Sequence, residues 1–124
     1  CKIARMSGAD FIHAGMWGGY YHEEEEDLKK AVRALTQGDD YEGTVPALSG
    51  GMHPGLVSAV RKKFGNNIMC SCGGSIHGHP SGTLAGTEAM RQAIEADYSG
   101  VDIESATLEK ELKEAIDKWG YVSI

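Results

Sequence analysis

The sequence predicts an α/β fold in which a parallel sheet is covered by helices. Three observations carry that expectation. Three short apolar runs lack the polar alternation of a half-exposed strand, and each is followed by a helical stretch. Each unit is roughly 25–35 residues long, as βαβ units tend to be. Such units fit a small open sheet, or three-eighths of a barrel that typically needs about 250 residues. Composition by itself leaves both open.

The elements follow in order. Residues 1–6 read as the end of a helix, with Ile3 and Met6 apolar and Lys2 and Arg5 polar. The chain is therefore expected to begin inside a longer architecture. Residues 9–14 form an apolar run between Gly8 and Gly15, the expected first strand. Residues 23–36 are expected to be an amphipathic helix, because Leu28, Ala31, Val32 and Leu35 recur at helical spacing. Its acidic start, Glu23 to Asp27, suits the positive end of a helix or simply a solvated face. Residues 38–43 are a connection rather than a domain linker.

The second strand is expected at residues 44–48. His53-Pro54 then opens a helix with Leu56, Val57, Val60 and Phe64 on one face, stopped at Gly65. The third strand is expected at 68–72. Ser81 or Thr83 is expected to cap the next helix, with Leu84, Met90, Ala93 and Ile94 facing inward and Gly100 as the break. A terminal helix lies within about 101–120, from about Ser105 to Trp119, with Leu108, Leu112, Ala115, Ile116 and Trp119 on one stripe.

The chain has 124 residues and a formal charge of −6, from 12 Lys+Arg against 18 Asp+Glu. One core fits that length. The acidic balance argues against nucleic acid or an anionic membrane surface as the main partner. No apolar stretch approaches the roughly 20 residues that span a bilayer, and residues 1–5 do not lead into the apolar run of a signal peptide. The cysteines Cys1, Cys70 and Cys72 are odd in number, and Cys70 and Cys72 share a strand face. Buried free thiols in a reducing cytoplasm are expected. Cys-x-Cys has too few ligands for a metal site.

Two glycine steps carry the chemistry. Ser49-Gly50-Gly51 and Cys72-Gly73-Gly74-Ser75 each follow a strand. Backbone N–H groups there can close onto an anion at the carboxyl end of the sheet. The same glycines can also serve only as tight turns, but two such steps on consecutive strands favour a phosphate site. His13 ends the first strand, where it can bond a phosphate or a substrate oxygen, or be a satisfied core histidine. Ser49 can bond a substrate hydroxyl or its own turn. His77-Gly78-His79-Pro80 has two histidines without nearby carboxylates, which favours a loop role over a metal. The stretch Met16 to Tyr21 can cover a ligand as a lid, or pack on a neighbour. No Lys stands at a strand end, no carboxylate cluster suits Mg²⁺, and Asp10 lies at the wrong end of its strand.

Three segments together resemble a known family. They are Ser7-Gly8-Ala9-Asp10-Phe11-Ile12-His13-Ala14-Gly15, Leu48-Ser49-Gly50-Gly51-Met52-His53, and the run from Cys72 to Gly82. In that order and spacing they resemble the C-terminal part of the ribulose-bisphosphate carboxylase (RuBisCO) large-subunit superfamily. The ending from Leu112 to Gly120 is similar to archaeal-type members. The resemblance runs over nearly all of the chain and about the last third of a family member.

The resemblance implies an eight-stranded (β/α) barrel, with strands six to eight in this chain. It implies that His13 contacts one phosphate and Ser49 a substrate hydroxyl, while Gly51, Gly73 and Gly74 hold the other phosphate through their backbone. It also implies Mg²⁺ in the parent enzyme, held by a carbamylated Lys, an Asp and a Glu on strand two, outside this chain. A partner subunit's N-terminal domain completes the site in a dimer. Carboxylases of the family carry a mobile Lys seven residues beyond the histidine. Here that position is Tyr20, and a phenol supplies no ammonium charge. The chain thus looks like a RuBisCO-like protein, whose relatives enolise or isomerise phosphorylated ketones or act as lyases on sugar-acid phosphates. A carboxylase with a variant loop, and an inactive fragment that self-associates through open strand edges, are the alternative expectations.

Overall fold

The computed structural model describes residues 1–38, 40–104 and 106–124. Asp39, expected in the connection after the first long helix, and Ser105, the expected start of the last helix, lie outside the described residues. The order is α1 (Lys2–Met6), β1 (Phe11–Gly15), α2 (Glu25–Thr36), β2 (Val45–Ser49), a 3-10 turn (Pro54–Leu56), α3 (Val57–Phe64), β3 (Met69–Ser71), α4 (Gly73–His77), α5 (Thr83–Tyr98) and α6 (Lys110–Trp119). The three strands form one parallel sheet in the order β1-β2-β3. The alternation of strand and helix is the one the apolar runs predict.

Arg5 is buried rather than exposed with the polar face of α1. Its guanidinium donates to the carbonyls of Gly38 and Glu42, at 2.8 and 2.9 Å, and to those of Gln37 and Tyr41. Four carbonyls replace its water, so burial leaves no N–H cluster without acceptors. Helix α2 begins two residues later than expected, because the Glu23 N–H is taken by the Met16 carbonyl at 2.8 Å. Leu28 and Leu35 then bury the helix against the sheet, in a core with Leu48, Leu56 and Val60. Strand β1 starts later than expected, yet Ala9 and Asp10 stay tied to the second strand. The Thr44 hydroxyl donates to the Ala9 carbonyl, and the Val45 N–H to that of Asp10.

Four expectations about the C-terminal half are corrected. The run after β3 is not only a turn. Gly73–His77 forms one short helix, with the Ser75 and Ile76 N–H groups returning to the Cys72 carbonyl. Two glycines are poor helix formers, so propensity gave no sign of it. Neither Ser81 nor Thr83 caps α5, whose N-cap is Gly82. The Ser81 hydroxyl bonds Glu114 at 2.5 Å and that of Thr83 faces His77 at 3.3 Å. Leu84 and Ile94 are exposed; the buried face of α5 is Ala85, Gly86, Ala89, Met90 and Ala93. Small residues are needed there because a Cβ on Gly86 would lie 2.1 Å from the Ile76 carbonyl oxygen.

The last helix starts at Lys110, not near 105. Its cap comes from another helix: the Gln92 carbonyl accepts from the Leu112 N–H at 3.0 Å, and the Gln92 amide donates to Glu109 and Glu111, each at 3.0 Å. One side chain thus satisfies an orphan N–H of the first turn and holds two carboxylates near the positive helix end. Leu112 packs with Ala93 and Ile103 in a second, smaller core. The tail returns to the 3-10 turn, where Val122 N–H donates to the Gly55 carbonyl at 3.1 Å.

Candidate functional site

The carboxyl ends of β1 and β2 bring His13 and Ser49 together. The ladder pairs His13 with Ala47, and a one-residue irregularity between His13 and Gly15 shifts the register. Such a bulge re-aims the side chains beside it. His13 Nδ1 and Ser49 Oγ stand 2.9 Å apart. His13 is exposed rather than a satisfied core histidine, and Ser49 bonds His13 rather than only its own turn.

Next to them the loop between β1 and α2 folds down on the first glycine step. Met16 is fully buried and anchors its start. The Gly18 N–H donates to His22 Nδ1 at 3.0 Å, and the Tyr21 N–H to the Gly50 carbonyl at 3.0 Å. Gly50 and Gly51 have φ of 114° and 105°, in the left-handed region that disfavours a Cβ. A Cβ on Gly51 would stand 2.4 Å from the Tyr20 nitrogen. The first step is therefore glycine for backbone-on-backbone contact with this loop. The second differs: a Cβ on Gly73 or Gly74 would meet nothing within 4 Å, so their surroundings are open.

Two clefts result. One of about 510 Å³ is lined by Gly51, His53, Gly74, Ser75 and Trp119, among others. The other, of about 500 Å³, is lined by His13, Gly15, Tyr21 and Glu23. Tyr20, Ser49 and Gly50 line both, so the exposed Tyr20 stands between them. Gly73, next to Gly74 in the chain, is exposed and is not among the lining residues of either. Among the described residues, no Lys or Arg lines these clefts. An anion there would meet backbone N–H, hydroxyl and imidazole donors, with the Glu23 carboxylate on the His13 side.

Sequence reasoning passed over two residues of the first cleft. His53 stands two residues after Gly51, and that closeness to the glycine step is the signal that could have found it. It is buried and stacked on Trp119, with centroids 6.2 Å apart and planes at 20°. Burial pulls its pKa down, so the neutral ring is favoured. Its Nδ1 has no partner among the described residues. Trp119 arrives from the far end of the chain, and no local pattern announces it.

The other histidines serve the scaffold; of the cysteines, expected as buried thiols, Cys70 and Cys72 are half-buried and Cys1 is exposed. His79 is buried; its Nε2–H donates to the Glu111 carbonyl at 2.9 Å, and its Nδ1 accepts from the Ser81 N–H at 3.1 Å. Both ring nitrogens are thus committed to backbone. Burial pushes the Cys70 thiol up to about 11 and that of Cys72 upward too, so both stay protonated near neutrality. All three cysteines are free thiols. Among the described residues no group of three or more His, Cys, Asp or Glu gathers as a metal cage, and no helix is long and apolar enough to cross a membrane.

A parallel α/β sheet with its clefts at the strand carboxyl ends defines a ligand-binding layer of the kind found in many enzymes. Residues 1–119 match the family described as "Ribulose bisphosphate carboxylase large chain, catalytic domain", and the chain belongs to that family. It is 41% identical to a ribulose bisphosphate carboxylase of Pyrococcus furiosus over 123 residues, covering 98% of this chain and 29% of that protein. It is 40% identical to a 2,3-diketo-5-methylthiopentyl-1-phosphate enolase of Geobacillus kaustophilus over 125 residues, covering 99% of this chain and 30% of that protein. The octameric RuBisCO of Pyrococcus horikoshii, solved in complex with sulfate ion, superposes with a TM-score of 0.87 at 37% identity, covering 96% of this chain and 28% of that one. The chain thus spans less than a third of the length of these relatives, and both carboxylases and enolases stand among them.

Proposed function

We propose that this chain is the C-terminal part of a RuBisCO-like enzyme that enolises or isomerises a phosphorylated ketone without fixing CO₂. Residues 1–124 would form strands six to eight of its (β/α)8 barrel, with the terminal helix behind them. The phosphate occupies the cleft lined by Gly51 and Gly74, with Gly73 next to Gly74 in the chain. His13 and Ser49 hold the oxygens at the other end. Backbone donors fixed before substrate arrives stabilise the negative charge that develops on an enediolate.

Overall identity does not separate the two activities, since 41% to a carboxylase and 40% to an enolase are equivalent. The observation that carries the reading is Tyr20. It stands between the two clefts, at the position where the resemblance puts the carboxylase Lys. A phenol there supplies shape and a hydroxyl but no fixed positive charge for incoming CO₂.

Mg²⁺ belongs to this reading as the parent's Lewis acid, with its ligands outside this chain. A cytoplasmic homo-oligomer, dimer-based, is the expected setting, and the octameric relative supports assembly. The test is solvent exchange. With the intact parent in D₂O, NMR should show loss of the proton next to the ketone of a phosphorylated ketose. Absence of exchange across a panel of phosphorylated ketones would remove the proposal and favour an inactive, self-associating fragment.

A further inference from the structure

Ser49 and His13 form one unit in the structure, and the unit has a direction. Ser49 Oγ lies 2.9 Å from Nδ1 of His13. Among the described residues, Nε2 has no partner, and His13 lines the cleft of about 500 Å³. A neutral imidazole carries one proton, and the bond made by one ring nitrogen decides what the other presents. A hydroxyl can donate or accept. If it accepted from Nδ1–H, Nε2 would offer a lone pair to a cleft whose wall already carries the Glu23 carboxylate. If it donates to Nδ1, Nε2 offers an N–H to that same acidic wall. Tyr20 and Tyr21, the other titratable groups of this cleft, add no fixed positive charge that would reverse the preference.

We propose that Ser49 is a positioning residue: its hydroxyl donates to His13 Nδ1 and fixes the ring as the Nε2–H tautomer, with a donor toward the cleft. That donor suits the phosphate, carboxylate or carbonyl oxygen of a substrate, and not a group that must itself donate. Its use by a substrate rests on the function proposed above; the tautomer itself does not. Alanine cannot donate to Nδ1, while threonine keeps the hydroxyl.

The tautomer is read from long-range ¹H–¹⁵N spectra of the histidine-labelled protein without ligand, with His13 assigned by loss of its signals in His13→Gln. The Nε2–H form should dominate in the wild type and in Ser49→Thr. In Ser49→Ala its excess should fall by roughly fivefold, the effect of one ordinary hydrogen bond. An Nδ1–H ring in the wild type, or an unchanged tautomer ratio in Ser49→Ala, would overturn the proposal. Inorganic phosphate, titrated into the same samples, should bind more weakly to Ser49→Ala than to Ser49→Thr. A tautomer shift with no phosphate binding in any sample would uphold the positioning role and remove only the reading of the cleft as an anion site.

Discussion

Gly51 and Tyr20 meet backbone to backbone: a Cβ on Gly51 would lie 2.4 Å from the Tyr20 nitrogen and 2.8 Å from its ring. The loop after β1 and the turn after β2 are therefore one structural unit. The left-handed φ of Gly51 and this contact exclude a side chain for separate reasons. The wall between the two clefts depends on both.

Gly51→Ala is expected to destabilise the chain by about 1–3 kcal/mol, through backbone strain and a displaced loop. Amide exchange over residues 18–22 should accelerate with it. Gly73→Ala has open space around it and stands at the start of α4, so its stability should hold or rise by about 0.5–1 kcal/mol. A bulky residue at Gly73 should nevertheless raise KM for the phosphorylated substrate in the parent enzyme, because it adjoins Gly74 of the cleft wall. Urea denaturation of the alanine pair and steady-state kinetics of Gly73→Leu check both halves. An unchanged KM would remove the role of the second glycine step.

His53 gives stability a pH dependence of defined sign. Burial lowers its pKa below the ordinary 6.5. The unfolded chain then binds more protons than the folded one just below that value. Its contribution is complete above pH 6.5 and is lost as pH falls through the folded pKa. His53→Phe keeps an aromatic ring against Trp119 and has no nitrogen to protonate. Denaturation midpoints measured from pH 7.5 to 5 should fall more steeply for the wild type than for this variant. Parallel curves would show that His53 does not titrate with folding.

Gln92 links α5 to the start of α6 through the Leu112 N–H and two carboxylates. Gln92→Ala should cost about 1–2 kcal/mol, the range of a lost helix cap. Gln92→Glu should cost more, since it sets a third negative charge beside Glu109 and Glu111. Chemical denaturation of both variants tests that order.

The sequence made the sheet legible because its signals are local. Apolar runs of the right length and amphipathic stretches behind them suffice to place β1 to β3, α2 and α3. Leu84 and Ile94 are apolar yet exposed, because the close approach of α4 selects small residues for the buried face of α5. The start of α6 was hidden because its cap, Gln92, lies on another helix. At the site, the glycine steps and His13 announce themselves by composition at strand ends. The contact of Gly51 with Tyr20, and the arrival of Trp119 under His53, are tertiary events that no spacing encodes.

In the proposed function Tyr20 stands in the place of a lysine, so the site grips a phosphorylated ketone without carboxylating it. The most direct measurement is incorporation of ¹⁴CO₂ into acid-stable product by the intact parent protein, supplied with ribulose bisphosphate, bicarbonate and Mg²⁺. No incorporation above background is expected. Sustained turnover into labelled product would contradict the proposed function and make the chain part of a working carboxylase with a variant loop.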